Sequence, residues 1–213
     1  HYAIKDGDLS WETPPADLFN KSLRERGVSS KSKIVLVYGG DDHASTFRLF
    51  FTLDYFGLSK NAVILDGGLK GWNFKGLETT KESKSNETIA EGELKFKDNA
   101  SIKVNKDYVK QYAGTNKLNV IDARRTNYYE GAEDTRDNYK RTGHIAGAGN
   151  VCWLDIVDEN LFMRDYDTIR ALYEAQGVGN KDEVIAYCHV GLRASVIYTV
   201  AKGLGYKARL YDG

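Results

Sequence analysis

The stretch that most constrains this chain is Val184-Ile185-Ala186-Tyr187-Cys188-His189-Val190-Gly191-Leu192-Arg193-Ala194-Ser195. It reads as a short apolar strand, a loop from Cys188 to Arg193, and then a helix. Ala194, Ile197, Tyr198, Ala201 and Leu204 recur at helical spacing until Gly205 ends the run. Cys188 therefore leaves the C-terminal end of a strand and faces a helix N-terminus. Unpaired N–H groups and the positive end of the helix dipole favour an anion there. A thiol so placed gives up its proton more readily. Arg193 adds a planar cationic fork at the other end of the loop, and Gly191 lets the backbone turn its amides inward. The stretch reads as a nucleophilic cysteine in a small anion cradle. The competing reading, a cysteine that is merely a small buried hydrophobe, explains neither the arginine nor the glycine.

A loop of this kind needs a core to hold it. With 41% hydrophobic residues, 14 tyrosines and 8 phenylalanines, the 213-residue chain can build one large or two modest domains. Its 30 basic and 30 acidic residues balance, which points away from nucleic acid and anionic membranes as partners. No apolar run approaches membrane-spanning length, and no signal peptide is visible. Two cysteines, Cys152 and Cys188, make no disulfide framework and suit a reducing, cytoplasmic compartment. A periplasmic location stays open, because His1 to Ser10 reads as an interior stretch with no initiating methionine.

In chain order, Thr13-Pro14-Pro15 is expected to start a helix with Thr13 as its cap, and Gly27 to stop it. Lys33 to Tyr38 reads as a buried strand. A helix through Phe47, Phe50 and Phe51 follows, then a strand from Ala62 to Leu65 and the Asp66-Gly67-Gly68 turn. Leu77 to Ala100 is polar and reads as a solvated connection, with an extended piece at Glu93 to Phe96. Beyond it come a helix at Lys106 to Tyr112, a strand at Asn119 to Asp122, and a long polar loop from Ala123 to Gly143. A strand at Ala148 to Cys152, a helix at Asp165 to Gln176, the Cys188 unit and a strand at Ala208 to Tyr211 complete the pattern. Strands alternating with helices predict an α/β fold with a parallel sheet, whose ligands sit at the carboxyl ends of the strands. Ile34 to Gly67 repeats the order of Val184 to Gly213. Aligning Ala44-Ser45 with Ala194-Ser195 sets His43 opposite Arg193 and leaves the first copy without a cysteine.

Val120-Ile121-Asp122-Ala123-Arg124, Gly143-His144-Ile145-Ala146-Gly147-Ala148, the Cys188 to Arg193 loop and Leu210-Tyr211-Asp212-Gly213 together resemble the tandem-domain rhodaneses, the thiosulfate sulfurtransferase family. Leu65-Asp66-Gly67-Gly68-Leu69-Lys70-Gly71-Trp72 fits as the counterpart of the last motif, so the likeness covers essentially the whole chain. It implies an α/β protein of two rhodanese-like domains, each a parallel sheet flanked by helices. Residues 1–76 would be the second half of an inactive domain, incomplete at its N-terminus, and 77–100 a linker. Residues 101–213 would be the catalytic domain, stopping before the family's tryptophan-containing tail.

The resemblance also implies ping-pong sulfur transfer through a persulfide on Cys188, with no metal or organic cofactor. A small-molecule sulfane donor and a thiol or cyanide acceptor would be the partners, with a protein sulfur acceptor as a further partner. The loop residues His189, Val190, Gly191, Leu192 and Arg193 would bind substrate. Arg124 would either reach the donor or pair with a supporting Asp122 beneath the loop. His189 and Arg193 give a cationic rim that favours a sulfonate-like donor, thiosulfate, over 3-mercaptopyruvate, whose users carry small neutral loop residues. Where the family has a further arginine, this chain has Tyr128. His144 is expected to tie loops together, Cys152 to fill core, and the Glu130 to Arg141 charge run to form a solvated face. The four histidines show no zinc-ligand spacing. Two other classes stand beside this one. A phosphatase or arsenate reductase of related fold would have a loop one residue longer, enough to wrap a phosphate. A non-catalytic sulfur-carrier module would hand its persulfide to a protein.

Overall fold

The computed structural model describes residues 2–7, 9–40, 42–82, 89–115, 118–132, 142–179 and 183–212. The first part of the chain forms β1 (Ile4–Asp6), β2 (Leu9–Glu12), α1 (Ala16–Arg24), β3 (Ile34–Leu36), α2 (Ala44–Tyr55), β4 (Ala62–Ile64) and α3 (Gly68–Phe74). The second forms β5 (Lys103–Val104), α4 (Lys106–Tyr112), β6 (Asn119–Asp122), α5 (Thr126–Glu130), β7 (Gly149–Asn150), α6 (Tyr166–Glu174), β8 (Glu183–Tyr187), α7 (Ala194–Gly203) and β9 (Lys207–Tyr211). Among the described residues no helix is long and apolar enough to cross a membrane.

Five strands in the order β5-β9-β8-β6-β7 make one sheet, every pair parallel. The apolar run of β8 belongs at its middle, where a strand is covered on both faces. Successive side chains point to opposite sides. Ile185 packs with Val104 and Val109 towards α4, while Val184 and Ala186 join the main core with Ile169 of α6 and Ile197 of α7. Helix α2, from the first part of the chain, lies against α7. Phe51 meets Tyr198 edge-on at 5.0 Å, and Tyr198 donates a 2.5 Å hydrogen bond to the buried Asp54, which Lys202 also contacts.

The remaining strands form two small sheets, antiparallel β1–β2 and parallel β3–β4. Lys33 to Tyr38 was expected to be a buried strand, and the structure differs. Only Ile34–Leu36 is strand, and Val35 and Val37 are 59% and 49% exposed, as is Val63 of β4 at 58%. A two-stranded sheet with helices packed on one side leaves its other face to solvent. Thr13 does not cap α1; Pro15 takes the N-cap position with no side-chain hydrogen bond. The strand at Ala148–Cys152 shrinks to Gly149–Asn150, because β7 is a sheet edge that pairs only with β6. The polar Ala123–Gly143 stretch contains α5, and most of the Glu130–Arg141 charge run lies outside the described residues.

The connection from Leu77 to Ala100 is not solvated throughout, and Glu93–Phe96 pairs with no strand among the described residues. Leu94 is buried with Phe19, Leu36, Leu53 and Phe56, and Phe96 stacks on Phe56 at 4.6 Å. The amide of Ser30 donates to the carbonyl of Glu93, and Arg24 pairs with Glu91 at 2.8 Å. Two well-spaced hydrophobes suffice to lay this polar segment along α1 and α2. Strands β1, β2 and β5 were not expected from the sequence.

Glu183 opens β8 between Lys207 (2.6 Å), Arg209 (3.2 Å) and the hydroxyl of Tyr108 (3.0 Å). Burial alone would raise its carboxyl, but these hydrogen bonds and charges outweigh it and hold it below the usual carboxylate range. The stability this group contributes is therefore full above the usual value of about 4.3 and is lost as pH falls through the lower folded value. Urea midpoints followed from about pH 6 to about pH 3 should fall more steeply for the native chain than for Glu183→Gln; parallel curves would refute the assignment.

Candidate active site

The site is built at the carboxyl edge of the sheet. Cys188 follows directly on β8, half-buried and packed against the main core. Beyond it the chain makes a tight loop in which Gly191 is buried with φ +71°, a left-handed conformation suited to glycine. The Gly191 carbonyl accepts from both the Ser195 amide (3.0 Å) and the Ser195 hydroxyl (2.8 Å), which fastens the loop to the first turn of α7. Among the described residues, the amides of Val190, Gly191, Leu192 and Arg193 have no protein acceptor. They remain available to an anion at the head of the helix.

Arg193 occupies the N-cap position of α7, and its guanidinium lies 5.9 Å from the centre of the Trp153 ring. Among the described residues it pairs with no carboxylate. His43 occupies the N-cap position of α2 as Arg193 does that of α7, and its ring lies against the same tryptophan at 4.8 Å. Trp153 was not singled out by the sequence; an aromatic side chain just after an edge strand offers no local signal.

Asp122 ends β6 beside Tyr187, fully buried. Its carboxylate accepts from the Arg124 amide (2.9 Å), from Arg124 Nε (3.0 Å to each oxygen) and from Nη2 (2.6 Å). Nη2 also donates to the Gly143 carbonyl at 2.7 Å, and Nη1 lies 3.2 Å from His189 Nε2. Burial alone would lower Arg124, but the hydrogen bonds and charge of Asp122 outweigh it, so the guanidinium stays charged. Arg124 thus ties β6, the Gly143 loop and the cysteine loop together. Because a guanidinium only donates, His189 Nε2 accepts in this contact. His189 thus faces Arg124, while Arg193 stands at the other end of the loop. Tyr128 meets the His189 ring edge-on at 5.5 Å.

His144 stacks on Tyr129 at 3.8 Å, and its Nδ1 donates to the Tyr129 carbonyl at 2.7 Å, so it joins its loop to α5. Cys152 is buried in the core, and burial pushes its thiol up from the ordinary range. Half-buried Val190 and Leu192 line the loop, Leu192 against the core. Asn150, missed by the sequence reading, donates to the carbonyls of Asp122 and Arg124 at 2.9 Å each and fixes the turn after β6. Among the described residues no cluster of three or more His, Cys, Asp or Glu could hold a metal ion.

Comparison with known proteins places this geometry in context. The model of the rhodanese-like domain matches residues 105–213. A protein of Mycobacterium bovis provisionally named thiosulfate sulfurtransferase 1 is 30% identical over 205 residues, covering 93% of this chain and 72% of its own length. One of Synechococcus elongatus, with a provisional name of the same activity, is 30% identical over 93% of this chain and 61% of its own. Among solved structures, SseA from Escherichia coli, described as a 3-mercaptopyruvate sulfurtransferase with the rhodanese fold, superposes with TM-score 0.82 at 28% identity. It covers 99% of this chain and 78% of its own. EanB in complex with ergothioneine gives TM-score 0.84 at 21% identity, and the chain spans about half (54%) of that protein.

Removing one partner of the Asp122–Arg124 pair would strand a charge at the base of the site. Asp122→Ala should cost about 3 kcal/mol in urea unfolding. A loss under about 1 kcal/mol would mean that the pair holds little together.

Proposed function

Since this chain belongs to the rhodanese-like family of sulfurtransferases, we propose that it moves a sulfane sulfur from thiosulfate to a thiophilic acceptor through a persulfide on Cys188. The observation that carries this reading is the cysteine loop itself. A half-buried sulfur at the end of β8 is followed by amides without a protein acceptor and by a guanidinium that pairs with no carboxylate among the described residues. The Cys188 thiolate attacks the outer sulfur of thiosulfate. A new sulfur–sulfur bond forms to Cys188, the old one breaks, and sulfite leaves with the bonding pair. The loop amides hold the charge on the terminal sulfur, and Arg193 meets the sulfonate oxygens of the donor. Cyanide or a thiol then takes that sulfur and restores the thiolate. The cycle consumes no external oxidant or reductant and uses no metal or organic cofactor.

In the same reading, residues 1–76 form the closing half of an inactive rhodanese-like domain, 77–100 the connection and 101–213 the catalytic domain. The matching N-cap positions of His43 and Arg193 and the parallel β3–β4 pair support it. The setting proposed is cytoplasmic, with small-molecule donor and acceptor and a protein sulfur acceptor as a further partner. A second donor, 3-mercaptopyruvate, is favoured by the likeness to SseA. A phosphatase reading is disfavoured by the short Cys188–Arg193 loop.

Thiosulfate plus cyanide should yield thiocyanate, Cys188→Ser should abolish it, and para-nitrophenyl phosphate should not be hydrolysed. Intact mass after thiosulfate should rise by roughly 32 Da on Cys188, the extra sulfur of a persulfide. Arg193→Leu should raise KM for thiosulfate about tenfold, the worth of one charge-assisted contact. A higher kcat/KM with 3-mercaptopyruvate would reassign the donor, and no mass gain with either donor would overturn the reading.

A further inference from the structure

Behind the cysteine loop lies a buried ion pair that the chemistry above does not use. Arg48 of α2 and Asp212, the residue after β9, are both wholly buried. Arg48 Nη1 and Nη2 donate to the two Asp212 oxygens at 2.7 and 2.8 Å, a bidentate contact across the chain. Lys103 of β5 reaches the same carboxylate at 3.2 Å and Glu12 of β2 at 3.1 Å, so four charged groups from four elements meet here. Gly191 rests on the pair. A Cβ on Gly191 would stand 1.9 Å from Asp212 Oδ1 and 2.7 Å from Arg48 Nη1. Its carbonyl is meanwhile held by Ser195 on the other side.

We propose that Arg48 and Asp212 are positioning residues that set the backbone of the Cys188 loop through contact with Gly191. The proposal rests on the sulfurtransferase reading for its rate prediction, but not for its structural one. The physical case is the cost of the arrangement. Stripping water from two charges is expensive, and an apolar pair of similar volume often stabilises a fold as well or better. Apolar side chains, however, are shape-tolerant and would not fix one glycine to one register, whereas a planar guanidinium locked on a carboxylate offers a single rigid surface. The loop amides are useful only where they stand, and a displacement of a fraction of an ångström at such a site is felt in the rate. Arg48 comes from the part of the chain that has no cysteine, so through Gly191 this contact gives α2 a part in placing the loop.

The test compares the full chain with Arg48→Lys and with the double variant Arg48→Met/Asp212→Leu. Thermal midpoint, steady-state thiosulfate–cyanide kinetics and the pH dependence of iodoacetamide alkylation, followed on the Cys188 peptide, are measured for each. The double variant should stay folded and lose kcat about tenfold or more, with KM changed less than about threefold, as expected for misplaced catalytic amides. Its alkylation profile on the Cys188 peptide should differ from the native one, because the loop amides no longer stand where they did. Arg48→Lys should fall between, keeping the charge but losing the fork. Should the double variant not fold, Arg48→Lys alone decides. Native kcat and a native alkylation profile in a folded variant would overturn the proposal. A native chain that alkylates normally but transfers no sulfur would sink the functional reading and leave this one standing.

Discussion

Parallel pairing is the constraint from which the rest follows. Strands β9, β8 and β6 run side by side in one direction, so their carboxyl ends share one edge of the sheet. Each strand hands that edge a different group: Asp212 after β9, Cys188 after β8 and Asp122 at the end of β6. A parallel sheet must return its chain through crossovers, here α6 and α7, and the loops that begin them gather at the same edge. Residues as far apart as 122 and 212 thus come to the same sheet edge as Cys188 without any local code for doing so.

Among the described residues, the charges at this edge include two buried Arg–Asp pairs, one of them shared with Lys103, and one arginine with no carboxylate partner. Asp122 with Arg124 ties β6 to the Gly143 loop and to His189. Asp212 with Arg48 underlies Gly191. Arg193 lies by the Trp153 face with no carboxylate partner among the described residues. A guanidinium held on a carboxylate is a structural strut; one resting on an aromatic face keeps its donors for a ligand. That division leaves the loop held from below and with a positive charge at its helix end.

Legibility from the sequence was uneven for physical reasons. The bounds of α4 and β6 agree with the sequence pattern, and α7 starts where the apolar spacing starts, because dense side-chain patterns decide such elements locally. Strands β1, β2 and β5 have only two to four residues and exist through their partners, so no window of sequence marks them. The segment around Leu94 and Phe96 reads as polar by composition, yet two aromatic and aliphatic contacts dock it. Val35 and Val37 have the composition of a buried strand and are half-exposed, since burial depends on how many layers a sheet carries.

By itself the sequence determined that a cysteine would stand between a buried strand and a helix N-terminus, with a glycine to turn the loop and an arginine to close it. These are consequences of side-chain spacing and backbone freedom over a dozen residues. Tertiary structure alone decided which arginine does what. Arg124 lies two residues from Asp122 and was open to either role from the sequence, but only packing brings Arg48 of α2 onto Asp212 and sets Arg193 by Trp153 with no carboxylate partner among the described residues. The sequence names the charges, but it is the shared sheet edge that assigns their partners, because an ion pair is a matter of distance and distance across the chain is set by packing.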